Sequence, residues 1–150
     1  MGIEVLLKKY HAYLLLEKSL SKNTIDAYKR DLNTLLEYLE QIDVDVLDVK
    51  KEHLVDFLIE LCNIGIQPRT QARVVSGIKS FYKFLVYDKQ LMQNPTIFLE
   101  PPKIGFRLPE VLSVDEINRI VQSVDLSKPE GQRNKTIVEV LYGSGLRVSE

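Results

Sequence analysis

Apolar residues recur at three- and four-residue intervals along most of this chain, and no useful length alternates with period two. The pattern predicts an all-α protein. Val5, Leu6, Tyr13 and Leu16 mark a helix over residues 3 to 18, broken by Ser19-Leu20-Ser21-Lys22-Asn23. Ser21 or Asn23 can cap a second helix, and Asp26 suits its first turn. Ile25, Tyr28, Leu32, Leu35, Leu36 and Leu39 form one stripe along it to about Glu40. The acidic stretch from Gln41 to Asp48 predicts a loop, with Asp48 capping a third helix that carries Leu54, Phe57, Leu58 and Leu61. Asn63-Ile64-Gly65 closes that helix. Pro68, in the first-turn position proline tolerates, opens a fourth that continues to about Asp88.

Asn94-Pro95, Pro101-Pro102, Gly105 and Pro109 interrupt the periodicity and predict a short turn over Thr96 to Leu99, then an extended linker. Beyond it, Ser113 and Glu116 form a capping box with Leu112 and Ile117 as its hydrophobic staple. This starts a helix holding Ile120, Val121 and Val124. Leu126 to Gly131 reads as a loop and Gln132 to Tyr142 as the next helix. Gly143 and Gly145 break it, and Leu146 to Glu150 has the pattern of a new first turn. The expected organisation is a helical domain over residues 1–100 with four main helices, a linker over 101–111, and the start of a second, incomplete domain over 112–150.

Composition supplies enough apolar surface for a core, at 45% hydrophobic residues, and excludes a disulfide scaffold, since Cys62 is the single cysteine. A reducing, cytoplasmic setting is expected. Cys62 ends the apolar run Phe57 to Cys62 and is expected to be a buried, inert thiol. His11 and His53 lack metal-ligand spacing, so no metal is expected. No apolar stretch is long enough to span a membrane. The net charge of −1 conceals an asymmetry: residues 37–60 carry eight acids and two bases, whereas 66–107 carry seven bases and two acids. Distribution, not total charge, governs attraction to nucleic acid.

The fourth helix sorts these charges. At 100° per residue, Val74, Ile78, Phe81, Tyr82 and Leu85 share one face, while Arg69, Arg73, Ser76, Ser80 and Lys83 share the opposite one with Lys79 beside it. No acid of this helix lies on that stripe. Arginine forks and serine hydroxyls fit phosphate oxygens, and such a helix fits a DNA major groove. Lys22, Thr24 and Lys29 of the second helix are lesser candidates, as are Lys103 and Arg107 of the linker. Charge reversal at Arg73 is expected to abolish duplex binding with helical content intact. Gly143-Ser144-Gly145 lacks the Gly-Lys-Ser/Thr ending of a phosphate loop. The sequence pairs no nucleophile with a base and carries no cofactor fingerprint, so by itself this chain is expected to catalyse nothing and to need no cofactor. A helical protein-interaction module using the acidic 37–60 face is the alternative reading.

The residues Leu141-Tyr142-Gly143-Ser144-Gly145-Leu146-Arg147-Val148-Ser149-Glu150 resemble the first catalytic motif of tyrosine recombinases, specifically the bacterial Xer-like integrase/recombinase group. Ser19 to Tyr28 resembles the opening of the family's second core-binding helix, and Thr70 to Leu85 its last long one. Asn94-Pro95, Pro102-Lys103, Arg107-Leu108-Pro109 and Leu112-Ser113 resemble its linker. The resemblance runs in family order over essentially the whole chain. It implies a SAM-like, core-binding helical bundle followed by the first helices of a catalytic domain, together clamping double-stranded DNA at a site with inverted repeats. It further implies strand cleavage through a 3′-phosphotyrosyl intermediate in a full-length enzyme, within a synaptic tetramer of protomers and without metal or cofactor. The family's first catalytic arginine corresponds to Arg147, and its accessory acid to Glu150. The family's later motifs, including the tyrosine nucleophile, have no counterpart here, which implies a fragment of a longer enzyme.

Overall fold

The computed structural model describes residues 2–105, 108 and 110–149; Arg107, Pro109 and Glu150 therefore lie outside the described residues. All regular structure among the described residues is helical: α1 (Ile3–Ala12), α2 (Lys22–Gln41), α3 (Lys51–Asn63), α4 (Pro68–Tyr87), α5 (Val114–Gln122) and α6 (Pro129–Ser144). The chain divides into two compact units, Met1–Gly105 and Phe106–Glu150. No described helix is long and apolar enough to cross a membrane.

In the first unit α4 is the central helix. It buries Val74, Val75, Ile78, Phe81, Tyr82, Phe84 and Leu85, a wider arc than five-residue apolar periodicity predicts. Tyr10 packs edge-on against Phe81, and Tyr10 and Tyr13 pack at a tilt against Phe84, with ring centroids 5.2 to 5.4 Å apart. Leu32, Leu35 and Leu39 of α2 and Leu54, Phe57 and Leu61 of α3 complete the core. Val46 and Val49 close it from the α2–α3 loop, where the Tyr82 hydroxyl donates to the Val46 carbonyl at 3.1 Å. Burial pushes the Tyr82 phenol well above its usual range.

α2 packs tightly against α4 at Gly77. A Cβ there would lie 3.2 Å from the Tyr28 ring and 3.7 Å from the Asp31 carboxylate. Leucine has no room at this crossing, and forcing it in costs about 1–3 kcal/mol through displaced neighbours. Gly77→Leu is therefore expected to lower the denaturant midpoint, read by circular dichroism; a midpoint equal to wild type would refute the close crossing.

The first helix is shorter than its pattern suggests. It ends at Ala12 and passes into a π-helical turn, Tyr13–Glu17, in which the Lys18 N–H reaches back to the Tyr13 carbonyl at 3.1 Å. The wider turn keeps Tyr13 and Leu14 buried and shifts everything after them off the 3.6-residue register. α2 is capped by Ser21, whose hydroxyl accepts from the Thr24 N–H. α3 is not capped by Asp48. It begins after Lys50, whose N–H donates to Nδ1 of His53. Cys62 is exposed rather than buried, because α3 turns Leu61 inward and leaves Cys62 on the outer side. Its thiol donates to the side-chain oxygen of Gln71 at 3.3 Å.

The ends of α2, α3 and α4 share one device. A residue with positive φ follows each (Asp43, Gly65 and Lys89), and the next N–H reaches back to the carbonyl five positions earlier. These bonds, Val44 to Leu39, Ile66 to Leu61 and Gln90 to Leu85, are 2.9 to 3.0 Å long. They satisfy carbonyls the helix leaves without partners.

In the second unit the Ser113 cap forms as its sequence predicts. The Ser113 hydroxyl accepts from the Glu116 N–H, and Glu116 Oε2 accepts from the Ser113 N–H at 2.8 Å. These bonds hold the Glu116 carboxyl below its ordinary range. α6 differs from expectation at both ends. It starts at Pro129, so residues 129–131 are helical rather than loop, and it runs through Gly143 to Ser144. Proline at the first helical position carries no N–H to leave unpaired, which favours the early start. Gly131 packs so closely on the loop before it that a Cβ would collide with the Asp125 carbonyl. α6 stops at Gly145, with φ 63°. No new helix follows among the described residues: Leu146 and Arg147 are irregular and Val148–Ser149 is a turn.

Candidate nucleic-acid interface

The face of α4 opposite the core carries the expected stripe. Arg69, Ser76 and Lys83 are exposed, while Arg73, Lys79 and Ser80 are half-buried. The structure brings Ser76, Lys79, Ser80 and Lys83 together in one groove of about 300 Å³. Its other wall comes from Tyr13, Lys18, Leu20 and Tyr28. Lys18 is the residue that helical periodicity misses. It follows the π-helical turn, where a 100° step no longer applies, and its ammonium lies 5.4 Å from the centre of the Tyr13 ring. A step change in helix type leaves no mark in apolar spacing, so the sequence offers no signal for it.

Three lysines, two serines and two tyrosines thus line one groove. Ser76 donates to the Ala72 carbonyl at 2.9 Å, within its own helix. Beneath Ser80, the Tyr10 phenol donates to the Gly77 carbonyl at 3.5 Å, and burial above all raises its pKa. The serines are small, pre-oriented groups on the groove wall, and the lysines supply its charge.

Arg73 has a partner that the α4 sequence does not reveal. Its Nη1 lies 2.6 Å from Asp31 Oδ2, from α2, and 3.4 Å from the Ala27 carbonyl. The Asp31 side chain is 6% exposed and that of Arg73 40%. The stripe is acid-free along α4, but an acid of the neighbouring helix lies beneath it. Burial raises the Asp31 pKa, and the opposing pull of Arg73 only partly offsets this.

The remaining candidates are dispersed. Lys22 is exposed at the first position of α2. The Thr24 hydroxyl lies 2.9 Å from the Ser21 hydroxyl, inside the helix cap. Lys29 borders a different depression, with Glu4, Lys8 and His11 on its rim. Neither Arg69 nor Lys103 lines the groove, although both are exposed. Arg107 is outside the described residues.

In the second unit Arg147 is exposed, two residues beyond the left-handed Gly145. The first helical turn expected over Leu146 to Glu150 would place Arg147 at a helix start. Arg147 instead follows the carbonyl end of α6, where a cation is favoured by the helix dipole. The Leu146 N–H closes that end on the Leu141 carbonyl at 3.1 Å. Tyr142 lies in the last turn of α6 and is half exposed. Glu150 lies outside the described residues. No group of metal-ligating side chains occurs among the described residues.

Residues 7–89 match the family described as phage integrase, N-terminal SAM-like domain. The matched span takes in all of α2, α3 and α4 and hence the whole groove. The chain is 36% identical over 149 residues to tyrosine recombinase XerD of Staphylococcus aureus strain COL, and likewise to that of strain MW2. It is 35% identical to tyrosine recombinase XerD of Staphylococcus epidermidis. Each alignment covers 99% of this chain and 50% of the relative, so the chain spans about half the length of the curated relatives it matches.

Proposed function

The chain belongs to the phage integrase family of tyrosine recombinases, and from that premise we propose that its first unit grips double-stranded DNA with the α4 face and the groove beside it. The observation that carries the reading is the groove that Lys18, Lys79 and Lys83 line together, next to a face of α4 that also carries Arg73. Ammonium groups neutralise backbone phosphates and release their counterions, whereas an arginine fork can also take a base edge. Lys22, Lys29, Arg69, Lys103 and Arg107 would add phosphate contacts at the margins, with Thr24, Ser76 and Ser80 as hydroxyl contacts.

In this reading residues 1–100 are the core-binding domain, 101–111 the linker and 112–150 the start of a catalytic domain. Arg147 would hold a non-bridging phosphate oxygen and Glu150 would orient Arg147. The whole protein would be a cytoplasmic site-specific recombinase. It would act on a site with inverted repeats as one of four protomers, breaking and rejoining strands through a phosphotyrosyl link.

Anisotropy titration of a labelled inverted-repeat duplex tests the first step. Binding should weaken steeply as salt rises, the signature of displaced counterions. Lys18→Gln, Lys79→Gln and Lys83→Gln should each weaken it for any duplex sequence and lower the log–log salt slope by about 1. Absence of binding at low salt, or binding indifferent to salt, would overturn the proposal.

A further inference from the structure

The ion pair beneath α4 does more than join two helices. Asp31 is almost wholly enclosed, yet the arginine it meets is not. The carboxylate takes a single guanidinium nitrogen, Nη1, which also donates to the Ala27 carbonyl. Nε and Nη2 of Arg73 make no hydrogen bond to protein among the described residues. One corner of a planar, five-donor group is thus fixed to α2 while its other edge stays available. That edge presents two parallel N–H donors, the pattern that matches two adjacent acceptors.

Gly77 and Tyr28 hold the arrangement. Gly77 allows α2 to come close enough for Asp31 to reach α4, with the Tyr28 ring packed at the crossing. An arginine on an open helix face spends side-chain entropy whenever it binds. Arg73 has already spent much of it within the fold.

We infer that Asp31 is a positioning residue that holds the Arg73 guanidinium with its Nε–Nη2 edge outward to make a two-point contact with duplex DNA. This inference rests on the α4 face being the DNA-binding surface. It gives Asp31, an acid, a favourable part in binding a polyanion, and that sets its effect apart from simple charge. Asp31→Asn removes a negative charge from beneath a basic face, so long-range electrostatics alone would tighten DNA binding. Positioning requires the reverse.

The test is a double-mutant cycle on duplex affinity, with thermal melts confirming folded protein. Asp31→Asn should weaken binding about tenfold, within what one two-point arginine contact is worth. In an Arg73→Gln background the same change should have no effect or should tighten binding. Asp31→Asn binding as well as or better than wild type would overturn the inference. So would an equal loss in the Arg73→Gln background, which would mark Asp31 as merely structural. Should Asp31→Asn not fold, Arg73→Lys decides, since it keeps the charge but not the outward fork. It should lose nearly as much affinity as Arg73→Gln, and wild-type affinity would overturn the inference. Wild-type protein that fails to bind duplex at low salt would remove the DNA-binding proposal itself and this inference with it, a result separate from every variant outcome.

Discussion

Arg73→Glu should destabilise the first unit by about 3 kcal/mol, and not merely abolish DNA binding. Removing one partner of a buried ion pair typically costs ~3–5 kcal/mol, and the partial exposure of Arg73 argues for the lower end. The new carboxylate would also face Asp31 where the guanidinium lay 2.6 Å away. For a unit of this size the melting temperature should fall by roughly 15 °C. The deficit should depend on pH. Burial already raises the Asp31 pKa, and loss of Arg73 removes an opposing influence, so in the variant the folded pKa rises further. A carboxyl whose folded pKa exceeds its unfolded value loses stability as pH rises through that interval and regains it on acidification. The gap between variant and wild type should therefore be wider at pH 8 than at pH 5. Equal melting temperatures, or a gap that widens on acidification, would refute the pair's structural role.

Helical periodicity taken alone leads to a different expectation for this variant, and the reason is physical. A helical wheel of α4 contains only α4. It places Arg73 on the polar face, where it is, but carries no information about the helix across the interface. Asp31 on α2, three residues after Tyr28 and four before Leu35, falls at the edge of the apolar stripe, but spacing within α2 does not say that Arg73 of α4 lies across from it. Lys18 eludes the wheel for another reason, since the π-helical turn before it resets the register. Asp43 and Lys89 adopt positive φ without the glycine that would announce it, whereas Gly65 and Gly145 do announce it. Signals contained within one element were legible: the Ser21 and Ser113 caps, Pro68 at the start of α4, and the polar stripe Arg69, Ser76 and Lys83. The wall opposite that stripe was not, because it forms only when the N-terminal segment and α2 pack against α4. The family resemblance bridges part of this gap, since it draws on the order of the motifs rather than on the geometry of any one of them.

Arg147→Ala, in a protein carrying the remaining half of the relatives' length, should reduce DNA cleavage by two to three orders of magnitude while leaving site binding nearly unchanged. The argument follows from where charge develops in the proposed reaction. Attack on a phosphodiester concentrates negative charge on the non-bridging oxygens, and a fixed donor there is worth roughly 3–4 kcal/mol in the transition state. Fixing the donor requires a fixed backbone, and the residues before Arg147 provide it. Gly145 takes the left-handed conformation with φ 63°, and the Leu146 N–H closes on Leu141. The backbone entering Arg147 is thereby tied to the last turn of α6. A residue other than glycine at 145 would resist that conformation, so Gly145→Val should reproduce part of the cleavage defect with Arg147 intact. Single-turnover cleavage of a nicked duplex, with the covalent product trapped, separates chemistry from binding. Arg147→Lys should recover only part of the rate, because an ammonium cannot reproduce the two-point geometry of a guanidinium. Wild-type cleavage by Arg147→Ala would remove Arg147 from the reaction, and a matching loss of site binding would reassign it to holding the duplex.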